Sequence, residues 1–561
     1  MEEMTGAVAL LSALKSEGVR HIFGIPGGAI IPVYDALYEE PSIRHILVRH
    51  EQAAAHAADG YARALGKPGV CMATSGPGAC NLLTGILNAY MDSSPVIAIT
   101  GQVPTHLLGT DAFQEADLLS LMLPITKHNF LVKSVEELVE AVRKAFQIAM
   151  TGRPGPVHID LPRDVQLAKA KVKIPAEITR REKVRYDPDP LRVEEAVKLI
   201  EGAERPVIFA GGGIIWSGAS PELVELAELL GAPVVTSLMG KGSIPENHPL
   251  SLGMLGMHGR RAANLAVTEC DLLIGVGVRF SDRSTGDARY FAPKAKIIHI
   301  DIDPVEIGKL VRTDVSVVGD AKRALAMILK LLKERARRGV RSEWKERIMQ
   351  MKKEFSPKMD YDDIPIKPQR VIKEIMEALD EDSVVVTEVG QCQMWAAHYY
   401  TVRGPRKFIS SGGLGTMGFG FPASLGAKIA LPEKKVLDVA GDGSFLMNSQ
   451  ELATAVENNI EVVCCIFNNS YLGMVKQWQD LFHGGRRSQT YLGKSPDFVK
   501  LAEAYGAWGD RVTRPGEIRE KLKEALECGK PAVLDVVIDP EEHVLPMVPA
   551  GGKLDQMIVR D

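Results

Sequence analysis

Two short segments in the last third of this chain constrain its fold more than any others. Lys435–Ser444 (KVLDVAGDGS) and, one helical stretch later, Val463–Tyr471 (VCCIFNNSY) both begin with an apolar, β-branched run. Such runs read as buried parallel strands whose C-terminal ends carry oxygen ligands. The glycines let backbone approach a phosphate closely, and the following helix offers it free N–H groups. One carboxylate (Asp442) and one amide oxygen (Asn469) form a sparse metal set. That set suits Mg²⁺, which keeps water and completes its octahedron from a bound diphosphate. Gly-Asp-Gly is also a common turn after a strand, and it is the Asn-Asn pair at this distance that favours the ligand reading.

Around these segments the pattern alternates strand and helix. Val19–Gly24, Ile43–Val48, Gly69–Thr74, Val96–Gly101 and Val157–Leu161 are strand-like, with helical patterns at Ala53–Leu65 and Val135–Met150. A polar stretch from about Ala168 to Asp189 reads as a linker. Pro206–Ala210, Pro233–Ser237, Leu272–Val276 and Ile297–Ile300 form a second series, and a charged helical segment, about Ala321 to Phe355, follows as a solvated face and connector. Ser383–Thr387, Lys435–Ala440, Glu461–Phe467 and Ala532–Ile538 form a third. Short strands separated by helices predict parallel sheets with helices on both faces. The fold class is therefore α/β, with three consecutive doubly wound parallel-sheet domains. The expected boundaries are 1–170, a linker 171–190, 191–345, a linker 346–367, 368–540 and a tail 541–561.

A chain of 561 residues is too long for one core. Its net charge of -4 gives no general attraction to nucleic acid or an anionic membrane. No apolar run is long enough to span a bilayer, and the acidic start at Met1–Glu3 is unlike a signal peptide. None of the 7 cysteines forms a C-x-x-C, so they read as reduced thiols, which fits a cytoplasmic protein.

The Asp442–Asn469 pairing resembles the thiamine diphosphate (ThDP) and Mg²⁺ signature. Further segments are similar to acetohydroxyacid (acetolactate) synthase catalytic subunits: Arg49–Ala54 (RHEQAA), Ser75–Gly78 (SGPG), Gly101–Pro104 (GQVP), Phe113–Glu115 (FQE), Gly256–Gly259 (GMHG), Arg279–Arg283 (RFSDR), Gly473–Trp478 (GMVKQW) and Glu542–Pro546 (EHVLP). Each motif is weak alone, but their order and spacing over nearly the whole chain are specific. The resemblance implies ThDP-fold first and third domains and an FAD-type Rossmann-like middle domain. It implies decarboxylation of pyruvate on ThDP and condensation of the hydroxyethyl carbanion with pyruvate or 2-ketobutyrate. The products would be 2-acetolactate or 2-aceto-2-hydroxybutyrate, on the route to valine, leucine and isoleucine.

Residue roles follow from the same resemblance. Glu51 would hydrogen-bond the aminopyrimidine, although a glutamate at a helix start also complements the macrodipole. Met417 would support the bend of the cofactor; on composition alone it is equally a gap-filling core residue. Asp442, Asn469 and the Tyr471 carbonyl would hold the metal. Gln391, Cys392, Gly415, Thr416, Gly443, Ser444, Leu472, Gly473 and Met474 would contact ThDP. Arg283 would anchor the substrate carboxylate, with a surface ion pair to Asp282 or Asp287 as the alternative. Trp478 would favour 2-ketobutyrate as acceptor, although a lone Trp is more often core. Gln114 and Gly28–Ala29 would line the same cleft. FAD would lie against Arg153, Gly212, Ser237, Leu238, Gly256, Met257, His258, Gly259, Gly277, Val278, Arg279, Phe280, Asp301 and Ile302.

Family likeness further implies a homodimer with two shared sites or a homotetramer, and a possible regulatory small subunit. Three positions depart from the pattern. Cys392 stands where many relatives have His, Arg163 where they often have Lys, and Ser281 where Asp is frequent. None removes a reacting group. The rivals are another ThDP and FAD enzyme, such as a pyruvate oxidase, and a non-catalytic ThDP-fold protein.

Overall fold

The computed structural model describes residues 2–174, 176, 184–335 and 342–559. Three six-stranded sheets follow one another along the chain, and every strand pair within them is parallel. In the first, the spatial order is Arg44–Leu47, His21–Gly24, Gly69–Ala73, Val96–Gln102, Val157–Pro162, His128–Leu131. The second runs Ser251–Met254, Val234–Thr236, Pro206–Ala210, Leu272–Val276, Lys296–Asp301, Val315–Val318. The third runs Phe408–Ser410, Val384–Thr387, Val436–Gly441, Val463–Asn468, Ala532–Val537, Trp508–Val512. Each sheet is covered on both faces, so its central strands are buried at nearly every residue.

One sequence expectation is corrected here. The stretch from Ala168 is not all linker, because Lys169–Val172 pairs antiparallel with Glu2–Thr5. Alternation of Lys with Ala and Val gives that edge one apolar side, which masks it as a polar run. The remainder of the linker falls partly on residues 175 and 177–183, outside the described residues. The charged segment after Ala321 forms two helices, Ala321–Glu334 and Ser342–Glu354, with residues 336–341 between them also outside the described set.

The first and third sheets meet through helices Glu51–Leu65 and Gly420–Ala430. Their backbones touch: a Cβ on Gly60 would lie 2.1 Å from the Ala423 carbonyl oxygen, and one on Gly426 1.9 Å from that of Ala57. Only glycine permits this approach. Buried polar side chains complete the junction. Arg63 donates to Asp59, to Asp92 and to the Ser410 carbonyl, while Glu451 accepts from the Arg49 and His50 amides at 2.9 and 3.1 Å.

Candidate active site

The strands Val436–Gly441 and Val463–Asn468 pair in register and end side by side. Asp442 opens the short helix Asp442–Phe445, and Asn469 lies just past the second strand. The two asparagines divide their work. Asn468 donates to Asp535 and is thereby locked to the neighbouring strand, whereas Asn469 donates to the Gln391 side chain at 3.1 Å and accepts from the Tyr471 amide at 3.0 Å. Gln391 is held in turn by Gln477 and the Glu542 carbonyl.

The result is a cleft of about 80 Å³ lined by Gln391, Cys392, Met417, Gly443, Ser444 and Asn469, together with Tyr471 to Met474. Asp442, 5% exposed, has no cationic side chain paired with it among the described residues, and burial pushes its carboxyl up to about 7. A divalent cation would remove that cost. One carboxylate, one amide oxygen and one backbone carbonyl leave several coordination positions to water and a bound diphosphate. The donor set therefore fits the Mg²⁺-diphosphate expected there.

Above this cleft lies a cavity of about 650 Å³ between the second and third sheet units, reached also by Arg153 of the first. Every middle-unit position expected to contact flavin lines it except Gly256 and Gly259. Those two shape the turn instead: Gly256 has φ 117° and donates to Asn264. Arg279 lines the cavity with no carboxylate bonded to it among the described residues, and burial lowers its pKa. Arg153, also in the cavity lining, donates to Ser93 and Glu306. Burial raises the Asp301 carboxyl to about 7 at the end of its strand. Cations, glycine-bounded turns and a buried acid that can accept hydrogen bonds suit an anionic dinucleotide.

The same cavity brings together Met417, Met474, Arg283 and Trp478. The Arg283 guanidinium stands 5.8 Å from the Trp478 ring and 3.2 Å from the Met257 sulfur. It also forms an ion pair with Asp282 at 4.0 Å, with both side chains more than half exposed, so that pair is weak and competes little with a carboxylate in the cavity. Asp287 pairs with Arg289 instead.

Five expected residues lie elsewhere in the single chain. Gly28 and Ala29 stay within the first unit, where the Ala29 amide donates to Thr74 and its carbonyl accepts from Gln166, and neither lines the cleft or the cavity. Thr416 turns to the first unit, donating to Asn88 at 3.0 Å. Gln114 sits in a loop with φ 60°, its backbone packed against Gly76. Glu51 begins its helix, 8% exposed, and accepts from Asn81 at 2.9 Å. Thr416, Gln114 and Glu51 likewise line neither the cleft nor the cavity. Conversely, Asp92, Gln393 and Glu306 line the cavity without having been expected there. Gln393 follows Gln391 on one helix and was within reach of motif reading, whereas Asp92 and Glu306 carry no local signal.

Comparison with known proteins agrees with this architecture. Residues 4–121 match the thiamine pyrophosphate enzyme N-terminal TPP binding domain, 193–328 its central domain and 388–536 its C-terminal TPP binding domain. The chain is 59% identical to the probable acetolactate synthase large subunit of Methanocaldococcus jannaschii, over 99% of this chain and 95% of that protein. It is 46% identical to the acetolactate synthase isozyme 3 large subunit of Escherichia coli, over 99% of each. Similarity to the Mycobacterium bovis acetolactate synthase is also 46%, over 99% and 92%. The chain thus belongs to the acetolactate synthase large-subunit family of thiamine diphosphate enzymes.

Proposed function

We propose that this enzyme binds ThDP through Mg²⁺ on Asp442, Asn469 and the Tyr471 carbonyl, and joins two 2-keto acids in the adjoining cavity. The observation that carries this reading is the continuity of the two spaces. Met417 and Met474 line both the diphosphate-sized cleft and the cavity that holds Arg283 and Trp478. The bound cofactor supplies the electron sink for decarboxylation. Met417 supports its bend, and Arg283 takes the substrate carboxylate with its planar fork. Trp478 bounds the side chain of the acceptor, pyruvate or 2-ketobutyrate. FAD occupies the middle-unit part of the cavity.

Glu51 belongs to the site only if a second copy of the chain supplies it, because the cleft is lined by the third unit alone. A homodimer is therefore part of the proposal, as is its pairing into a tetramer. Exposed Phe113 and Leu123 on the first unit and Met447 and Tyr491 on the third supply apolar surface for such a contact. A regulatory small subunit is proposed from the "large subunit" in the names of the relatives. Unit boundaries that fall after the strand Lys169–Val172 and after the helix Ser342–Glu354, a few residues beyond the expected 170 and 345, with the second and third units starting near 191 and 368, and a cytoplasmic setting for the unpaired thiols, complete the reading.

The test is incubation with pyruvate, ThDP and Mg²⁺ without oxygen, followed by acid conversion of acetolactate to acetoin. Acetoin is expected, with a flavin band in the visible spectrum of the purified protein. Acetyl phosphate and peroxide formed in air, without acetoin, would overturn the synthase reading in favour of an oxidase.

A further inference from the structure

Met417 sits in the segment Gly412–Phe421, which joins the strand Phe408–Ser410 to the helix Gly420–Ala430. Five of its residues are Gly412, Gly413, Gly415, Gly418 and Gly420, a composition with high intrinsic freedom. Yet the segment is tied down at both ends by buried carboxylates. Asp92 follows helix Leu83–Met91 of the first unit. Its two oxygens accept from the Gly413 amide at 2.6 Å and the Gly412 amide at 3.1 Å. Arg63 donates to the same carboxylate at 2.8 Å and stays paired with Asp59 on its other edge.

Glu388 acts from below. It is fully buried after the strand Val384–Thr387 and accepts from the Gly418 amide at 2.8 Å and the Phe421 amide at 2.9 Å. Gly420 is packed so tightly here that a Cβ would lie 2.5 Å from an Asp438 oxygen and from the Glu388 amide. Between the two anchors, Ser411 accepts from the Thr416 amide, and Asn88 accepts from both hydroxyls. Within the segment, only Met417 lines the cleft and the cavity together.

We propose that Asp92 and Glu388 are positioning residues for Met417: two carboxylates from different sheet units clamp the backbone on either side of it and so set the bend of the bound thiamine. This rests on the reading of Met417 as the support under that bend. A carboxylate suits the task because both oxygens accept and neither donates, so two converging N–H groups are met without a clash. An amide of the same shape presents its NH₂ to one of those N–H groups.

Asp92→Asn and Glu388→Gln in the full chain are the test variants. With ThDP and Mg²⁺ saturating, the exchange of the cofactor C2 proton for deuterium, quenched with acid and read by proton NMR, is expected to slow about tenfold to a hundredfold, the scale of a 1 Å misplacement. Glu246→Gln, which breaks the equally buried pair with Lys241, is the control. It is expected to lower the melting temperature and leave C2 exchange unchanged, as any merely structural loss would. Met417→Ala separates the two readings. If Met417→Ala slows exchange but neither carboxylate variant does, the clamp is refuted while Met417 keeps its role. Unchanged exchange in Met417→Ala would remove both. Should the variants not fold, amide exchange of the wild-type chain decides: slow exchange of Gly412, Gly413, Gly418 and Phe421 supports the clamp, and exchange at the rate of an open loop refutes it.

Discussion

Replacing Gly473 by alanine probes the diphosphate cleft through its tightest contact. A Cβ there would lie 2.1 Å from the Gln391 side-chain oxygen and 2.7 Å from the Asn469 amide nitrogen. Ordinary contact begins near 3.4 Å, so Gln391 must retreat by more than an ångström. It has nowhere to go: it is 6% exposed and engaged by Gln477, the Glu542 carbonyl and Asn469. Losing or bending two to three neutral hydrogen bonds costs about 1 kcal/mol each. The total is about 2 to 3 kcal/mol, and if binding must restore the wild-type placement of Gln391 and Asn469, that cost reappears as roughly a thirtyfold to hundredfold weaker binding at about 1.4 kcal/mol per decade. Titration calorimetry of Mg²⁺-ThDP into the apo chain measures it directly. Equal affinities for Gly473→Ala and wild type would show that Gln391 and Asn469 do not shape the binding site.

Asp442→Asn should abolish Mg²⁺-dependent ThDP binding while raising apo stability above neutral pH, since the ionised carboxyl is disfavoured there; retained Mg²⁺ dependence in calorimetry would exclude Asp442 as a ligand. Burial raises Glu451 from the ordinary 4.5 to about 7, so the folded state favours its protonated form. Its contribution is therefore greatest below the unfolded value and is lost as pH rises to about 7, roughly 3 kcal/mol in all. Glu451→Gln should remove that dependence, so its unfolding free energy relative to wild type should grow by that amount across the window in urea titrations. Parallel pH profiles would refute it. Gly426→Ala places a methyl 1.9 Å from the Ala57 carbonyl oxygen, where only backbone can yield, and should cost about 3 kcal/mol or prevent folding; a loss below about 0.5 kcal/mol in the same titration would show that the helix crossing is pliable.

The central strands were legible because burial on both faces leaves near-continuous apolar runs, as in Val463–Phe467. Within the three six-stranded sheets, the strands that escaped reading are His128–Leu131, Ser251–Met254, Val315–Val318, Phe408–Ser410 and Trp508–Val512, and each is a sheet edge. An edge pairs on one side only and tolerates Ser, Asn or Asp-Arg within it, which erases the signal. The site divides in the same way. Asp442, Asn469 and Gln391 stand in local motifs next to the turns that place them. Glu451 and Asp92 act on backbone amides more than 300 residues away, at separations of 402 and 320, and no local pattern announces such a bond.

Where Gly60 and Gly426 let two helices lie main chain on main chain, no side chain stands between the outer units to act as a cushion. Substitutions elsewhere can be absorbed by rotamer changes, but at this seam a displacement of one helix must be copied by the other. The first and third units are thus obliged to diverge together, and grafting either one alone from a distant homologue should fail at this crossing before any ligand contact is tested.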